Sequence, residues 1–524
     1  MIDALSQSIL TILILFPVLA SLVLIAIPID FRSASLKLIG FFIALIQWLL
    51  SLFLVFNFDK EKASFQFAEI HNWLPTELGV KFIVGVDGLS LTLLVLVTTL
   101  SPLIFLSVYK YITHHIRGFL FLFFLMHSAM IGVFTALDVF QFYIFWELTL
   151  LPVLFFIGIW GQGQKIHATF KTFLYGVVGS LFMLLALVYL YVFQGESSLL
   201  GTYSTSLLDI YTSAQSIPVK TQVFLFLAIS FSFAIKTPLF PFHSWLPDAY
   251  ASAPALYTLM SGVILKLAAY GFIRLNLCLF PSLVREMSLV LLILALISIL
   301  YGALIAYRSH SLKKIMAFSS LSHLGLIILG IFSLNLQGLN GALYQMLCHA
   351  VTATALFVLI HHLFDLRRTD DIESFSGLAK SLPLFSFFFV IFSLASMALP
   401  STGNFVGEWL ILLGAFKNNS ILGSLATLTA IFGAAYMLRV LYKIIFGPEM
   451  KDKGKLKGLS AIQVVQLLIF TVTIFFLGFF PNHILSFSQK SLLKIQNVID
   501  TQEHFKVELD FFKKNDAFSH HVKS

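Results

Sequence analysis

Phe231-Ser-Phe-Ala-Ile-Lys236-Thr-Pro238-Leu-Phe-Pro241-Phe-His243 lies inside an apolar run long enough to cross a bilayer, and it carries a lysine. A charge at that depth costs roughly 2.5–3.5 kcal/mol on insertion scales, so it persists where it is paired or useful. Two residues later Pro238 removes a backbone donor, which predicts a helix broken beside the lysine. An ionisable group next to a broken membrane helix is an arrangement of ion carriers. Glu147, Lys266, His323, His349 and Glu408 also sit inside apolar runs.

The rest of the chain sets the same frame. Of its 524 residues 59% are hydrophobic and 11% charged, with a mean hydropathy of +0.94. Soluble domains are about 25% charged, so an integral membrane protein is expected. Met1-Ile-Asp-Ala-Leu-Ser-Gln-Ser lacks the basic segment and cleavage site of a signal peptide and reads as the start of a retained first helix. Cys278 and Cys348 are too few for an iron–sulfur cluster or a disulfide framework. The net charge of +8 is scattered over short loops, which argues against nucleic acid as a partner.

With ~20 apolar residues as the unit, hydropathy predicts an all-α membrane protein of about fourteen transmembrane helices. They fall near 8–28, 36–57, 88–109, 118–137, 139–160, 168–194, 221–247, 254–278, 287–307, 313–333, 338–364, 382–414, 420–446 and 461–480. The runs 221–247 and 382–414 exceed one span, and each holds a proline, Pro238 or Pro400, as expected of discontinuous helices. They occupy equivalent places in two five-helix blocks, predicted helices 4–8 and 9–13. An odd number of crossings per block inverts the second relative to the first, so two inverted repeats are expected. The resulting units are 1–110, a first repeat 111–280, a second repeat 281–447, and 448–524 with the last helix and an amphipathic tail. That tail shows Ile484, Phe487, Leu492, Ile495 and Val498 at helical spacing.

Basic residues gather after odd-numbered helices: Arg32 and Lys37, Lys110 and Arg117, Lys165 and Lys171, Arg308, Lys313 and Lys314, Arg367, Arg368 and Lys380, and Lys451, Lys453, Lys455 and Lys457. Even loops hold few, or mix them with acids as in Asp59-Lys60-Glu61-Lys62. The positive-inside rule then predicts a multi-pass protein with both termini outward.

The buried polar groups are the chemically active candidates. Burial makes the proton of an amine easier to remove, so lysines such as Lys236 and Lys266 suit proton exchange at physiological pH. Glu147, in Phe145-Trp-Glu147-Leu-Thr-Leu-Leu-Pro152, can form an ionised pair with a lysine or stay neutral on a backbone carbonyl. Histidine titrates in the working range and relays protons through both ring nitrogens, which suits His323 and His349. Glu408 follows a break rich in glycine and asparagine. In chain order the six form a polar path through an apolar protein. Gly158-Ile-Trp-Gly-Gln-Gly163 lies between membrane helices without a strand and is no nucleotide loop. The adjacent pairs His114-His115 and His361-His362 are poorly spaced for joint metal ligation.

Val86-Asp87-Gly-Leu-Ser, Phe145-Trp-Glu-Leu148, Lys236-Thr-Pro with Phe242-His-Ser-Trp-Leu-Pro-Asp248-Ala, Leu312-Lys-Lys, Ser322-His323 and Gly403-Asn-Phe-Val-Gly-Glu408 resemble the antiporter-like membrane subunits of respiratory complex I. The resemblance runs from about residue 80 to 446 and is nearest the M type, which carries a glutamate at the position of Glu408. It implies that Glu147, Lys236, Lys266, His323, His349 and Glu408 form a proton channel of a bacterial inner-membrane NADH:quinone oxidoreductase. It also implies L-type and N-type antiporter-like chains, a peripheral arm and membrane lipid as partners. FMN and iron–sulfur clusters would sit in those partners, quinone would bind elsewhere, and this chain would hold no cofactor or metal. A multi-subunit sodium/proton antiporter or membrane-bound hydrogenase shares such helices, and a non-transporting scaffold is the remaining alternative. The family often reads Pro-Asp-Ala-His after the first broken helix, where this chain has Tyr250.

Overall fold

A computed structural model of the chain describes residues 7–26, 33–75, 78–109, 112, 114–198, 201–253, 260–448 and 456–502. Arg32, Lys110, Lys451, Lys453, Lys455 and the start of the predicted eighth helix, 254–259, lie outside the described residues. Twelve helices among the described residues are long and apolar enough to span a membrane. The chain is therefore a helical, multi-pass membrane protein.

In chain order the first half holds α1 (Ile9–Ala26), α2 (Ser33–Asn57), α3 (Gly88–Tyr109), α4 (Ile116–Thr135), α5 (Val139–Leu148), α6 (Leu150–Trp160) and α7 (Lys165–Ser197). These are followed by α8 (Leu207–Ser213), α9 (Val219–Lys236), α10 (Trp245–Ser252) and α11 (Lys266–Gly271). The second half holds α12 (Pro281–Arg308), α13 (Leu312–Phe332), α14 (Leu336–Arg367), α15 (Pro383–Ser396) and α16 (Gly403–Asn418). It ends with α17 (Ser420–Ala426), α18 (Leu428–Ile444), α19 (Ala461–Phe479) and α20 (Pro481–Thr501).

Both predicted breaks are present. The first separates α9 from α10 around Pro238, and the second unwinds Met397–Thr402 between α15 and α16, with Ala398 and Ser401 at φ 54° and 83°. Three interruptions were not anticipated. The run 139–160 divides at Thr149, because Pro152 supplies no N–H to the carbonyl of Leu148 and its ring crowds that carbonyl. The run 420–446 divides at Thr427, whose hydroxyl donates to Ser424 O at 2.6 Å. The single turn α11 is flanked by π-helical segments Met260–Ile264 and Phe272–Leu277, a departure from α geometry that recurs at functional sites.

A two-stranded antiparallel hairpin was also missed by hydropathy. β1 (Gln66–Asn72) pairs with β2 (Lys81–Val86), placing Ile70 opposite Ile83. Glu69 on β1 accepts from the Leu10 and Thr11 amides at 2.7 and 3.1 Å, closing the amino end of α1 where free N–H groups favour a carboxylate. This hairpin marks one end of the molecule. There Val139 N donates to Thr205 O, and Ser491 of α20 accepts from Gly88 N at 3.0 Å. The start of α1 and the C-terminal helix thus lie at the same end. α20 is amphipathic as expected, and its buried Leu492, Ile495 and Ile499 face the protein's own α3 and α14.

At the opposite end Lys171 pairs with Asp248 at 2.7 Å, and Lys313 donates to Ala251 O at 3.5 Å while lying 3.9 Å over the Phe364 ring. Lys313 is thus a buried first-turn residue of α13 rather than a loop charge. α13 and α14 are enclosed on nearly every side, whereas α7 and α12 present Phe170, Leu185, Leu289 and Val290 outward as a lipid-facing surface would.

Candidate functional site

Lys236 is the last residue of α9, and α5 ends beside it. Its Nζ donates to Trp146 O at 3.1 Å and to Thr149 Oγ1 at 2.6 Å, and lies 3.8 Å from the centre of the Trp146 ring. The carboxyl end of α5, where carbonyls and the helix dipole favour a cation, therefore meets the ammonium carried by the last residue of α9. The tryptophan face adds a cation–π contact. Both hydrogen-bond acceptors lie in the stretch that carries Glu147, and neither is Glu147 itself. Glu147 and Lys236 line one cavity of about 50 Å³, together with Thr149, Thr172, Trp245 and Ile264. That volume holds a water or two at ~30 Å³ each.

The other four candidates come together between α11, α13, α14 and α16. Lys266 is wholly buried, and its Nζ stands 2.9 Å from Nδ1 of the buried His349. At that separation one nitrogen donates and the other accepts, so a single proton lies between them. The rings of His349 and His323 are 5.2 Å apart, and His323 Nδ1 is 3.3 Å from Glu408 Oε1. Gln345 Nε2 donates to the same carboxylate oxygen at 3.4 Å. Each group is within one side chain's reach of the next.

Local sequence explains the closeness. At Gly407 a Cβ would stand 2.6 Å from Gln345 Oε1 and 2.9 Å from Gln345 N, so only glycine lets α16 lie this near α14. The break before α16 is held by Asn404, which donates to Ala395 O at 2.8 Å and Thr352 Oγ1 at 3.2 Å. Glu147 and Lys236 are thus one cluster, and Lys266, His349, His323 and Glu408 a second. Ile264, two residues before Lys266, lines the cavity of the first.

Residues 136–433 match the family model described as NADH:quinone oxidoreductase/Mrp antiporter, transmembrane. The chain belongs to this family. NADH-ubiquinone oxidoreductase chain 4 of Arabidopsis thaliana is 39% identical over 473 residues, covering 90% of this chain and 93% of the relative. NADH-quinone oxidoreductase subunit M of Rickettsia prowazekii is 35% identical over 445 residues, covering 84% and 89%. A chain of the solved respiratory complex I from Thermus thermophilus with bound NADH superposes with a TM-score of 0.84 at 28% identity, covering 94% of this chain and all of that one. The family resemblance read from the motifs is borne out.

One buried polar group of this family chain was overlooked in its sequence. Arg274 pairs with Asp87 under the hairpin, and both side chains are 2% exposed. Arg274 also donates to Tyr270 Oη and Ser90 Oγ, each at 3.2 Å, and Tyr270 donates to Phe134 O at 3.0 Å. The signal was available: Lys266, Tyr270 and Arg274 recur every four residues, one stripe of a helical surface. Trp146 and Thr149, the acceptors for Lys236, flank Glu147 in an apolar stretch that gives no sign of their role. Among the described residues no group of histidine, cysteine, aspartate or glutamate is arranged to hold a metal ion.

Proposed function

We propose that the chain is a proton-translocating membrane subunit of an NADH:quinone oxidoreductase, with protons moving along Glu147, Lys236, Lys266, His349, His323 and Glu408. The observation that carries this reading is the buried file from Lys266 to Glu408, four titratable side chains in succession, with His323 and His349 midway along the enclosed α13 and α14. Lys266 and His349 share one proton, and His323, which stands between His349 and Glu408 with neither ring nitrogen hydrogen-bonded among the described residues, turns to hand it on. A non-transporting scaffold has no use for such a file, which costs several kcal/mol to bury unless each charge is compensated. The names carried by relatives at 35–39% identity favour the oxidoreductase over a sodium/proton antiporter or hydrogenase.

On this reading 111–280 and 281–447 are inverted repeats, each contributing one broken helix. The hairpin end faces outward from a bacterial inner membrane, consistent with Lys165, Arg308, Lys314, Arg367 and Arg368 at the opposite end. Partner chains, of L and N type in the membrane and of a peripheral arm, supply FMN, iron–sulfur clusters and the quinone site. This chain lowers the barrier to proton passage, and redox chemistry elsewhere drives it.

The test compares the isolated chain with its complex. Purified and reconstituted in liposomes with a pH-sensitive dye, NADH and a quinone, the chain alone is expected to give no acidification. Membranes holding the complete complex are expected to acidify, with fewer protons per electron when this chain is deleted. NADH-driven acidification by the chain alone would overturn the reading.

A further inference from the structure

A cavity of about 160 Å³ lies away from both polar clusters, between α2, α3, α14, α19 and the start of α20. Leu91, Leu96, Thr99, Leu347, Phe470 and Phe487 are among its walls, and it is partly open. Its threonines do not make it polar. Thr92 spends its hydroxyl proton on Gly88 O at 2.7 Å and Thr473 on Ile469 O at 2.8 Å, while Thr99 Oγ1 accepts from Trp48 Nε1 at 3.2 Å. Water needs two to four polar partners to settle, and an apolar cavity of roughly 150 Å³ stays dry and takes apolar guests instead. The space is therefore a poor proton route and a good hydrocarbon site.

Its shape and rim indicate which hydrocarbon. From Leu91 to Leu103 the lining of α3 rises by twelve residue steps, a depth of about 18 Å at 1.5 Å per residue, starting at the hairpin end. A helix is 10–12 Å across with its side chains and does not fit. At the hairpin end Lys60 lies 3.8 Å over the ring of Phe487, which itself lines the cavity, and Lys490 is one turn further along α20, 3.3 Å from Glu61. We propose that this cavity binds one acyl chain of a phospholipid whose phosphate is held by Lys60 at the rim. A basic residue at a membrane surface attracts an anionic headgroup, and the hydrocarbon tail fills what water does not. The proposal is independent of the proton path.

Photolabelling tests it. Membranes holding the full chain are fused with liposomes of phosphatidylethanolamine and phosphatidylglycerol, part of the latter carrying a diazirine at the end of one acyl chain. After illumination the labelled peptides are mapped. Label is expected within Leu96–Leu103 and Phe470–Thr473, competed by unlabelled phosphatidylglycerol. Lys60→Glu is expected to lower that label about fivefold or more, and Lys220→Glu, an exposed lysine of α9, to leave it unchanged. Val95→Phe, which narrows the cavity, is expected to abolish it; if that variant fails to accumulate, the Lys60 variant still decides. The proposal falls if label stays on outward residues such as Leu38 and Phe42, or if cavity label ignores the Lys60 charge. It also falls if the cavity labels only after partner chains are stripped, which would mean that a protein segment occupies it.

Discussion

The two polar clusters solve the same problem, charge inside a membrane, in different ways. The first places Lys236, the last residue of α9, against the carboxyl end of α5 and under a tryptophan face, with Glu147 across a small cavity. Backbone carbonyls and a dipole hold the ammonium there, and the carboxylate is a neighbour rather than a direct partner. The second encloses Lys266, His349, His323 and Glu408 so fully that side chains meet one another directly. The breaks are used oppositely too. Lys236 precedes Pro238 by two residues, and the residue that precedes Pro400 by two is Ala398; the acid of the second break, Glu408, comes after it on α16. One break presents a cation at the end of a helix, and the other presents an acid beyond the start of one. The first cluster is built to hold or release a charge facing a cavity, and the second to pass a proton along.

If that distinction is right, removing the ammonium of the first cluster has the largest effect. Lys236→Met keeps the volume and loses the charge. Pumping in inverted vesicles is expected to fall by at least about tenfold, a barrier change of about 1.4 kcal/mol or more, while the complex still assembles. Near-normal pumping with methionine would remove Lys236 from the path. In the second cluster Glu408→Gln is expected to lower the proton-to-electron ratio, since the amide cannot take up and release a proton near neutral pH; Glu408→Lys restores a titratable group and is expected to retain part of the function. An unaltered ratio in the glutamine variant would end the file at His323.

A gentler change asks whether Lys236 depends on the helix ends. Thr149→Val deletes one of its acceptors and leaves Trp146 O. A hydrogen bond to a charged group is worth about 1.5–3 kcal/mol, so pumping is expected to drop about three- to tenfold, as part of that loss is recovered by water in the cavity. Combined with Glu147→Gln, the loss is expected to be less than the product of the single effects, because both act on one ammonium. Independent multiplication of the two losses would mean that Glu147 and Thr149 serve different groups.

The legibility of the two clusters from sequence differed in kind. All six titratable residues stood out, because a charge or an imidazole in an apolar run has few bland explanations, and both prolines announced their breaks. What sequence did not show was partnership. A buried glutamate suggests itself as a lysine's ion partner, yet the ammonium of Lys236 binds Trp146 O and Thr149 Oγ1 at the end of α5, and no side-chain pattern encodes which backbone carbonyl faces it. The π segments around Lys266 and the hairpin over Asp87 and Arg274 were missed for the same reason. Hydropathy registers depth, and these features depend on which backbone groups find partners within it.

The smallest expected effect on transport concerns Asp138, which starts the helix that ends beneath Lys236. Its carboxylate accepts from the Phe140 and Gln141 amides at 2.9 and 3.0 Å and from the Thr205 hydroxyl, fixing α5 to the hairpin end. Burial pushes its carboxyl up to about 6, against an ordinary 3.8, despite those hydrogen bonds. The folded form therefore keeps a proton between about pH 4 and 6 that the opened form releases. Stability of this corner falls as pH rises through that window and is level above it, by up to about 3 kcal/mol. Asparagine caps a helix as well as aspartate does and does not titrate. Hydrogen exchange, corrected for the intrinsic rate, is expected to show the amides of Val139–Phe142 losing protection from pH 4 to 6 in the native chain and not in Asp138→Asn. The amides of α14 beside His349 are expected to be unchanged in both, since the Asp138 carboxylate bonds to α5 amides and to Thr205, neither of them on that helix. Protection of α5 that rises with pH would reverse the sign and detach the cap from burial. Equal loss in α5 and α14 would mean that the two clusters open together, and that the division between them is one of geometry alone.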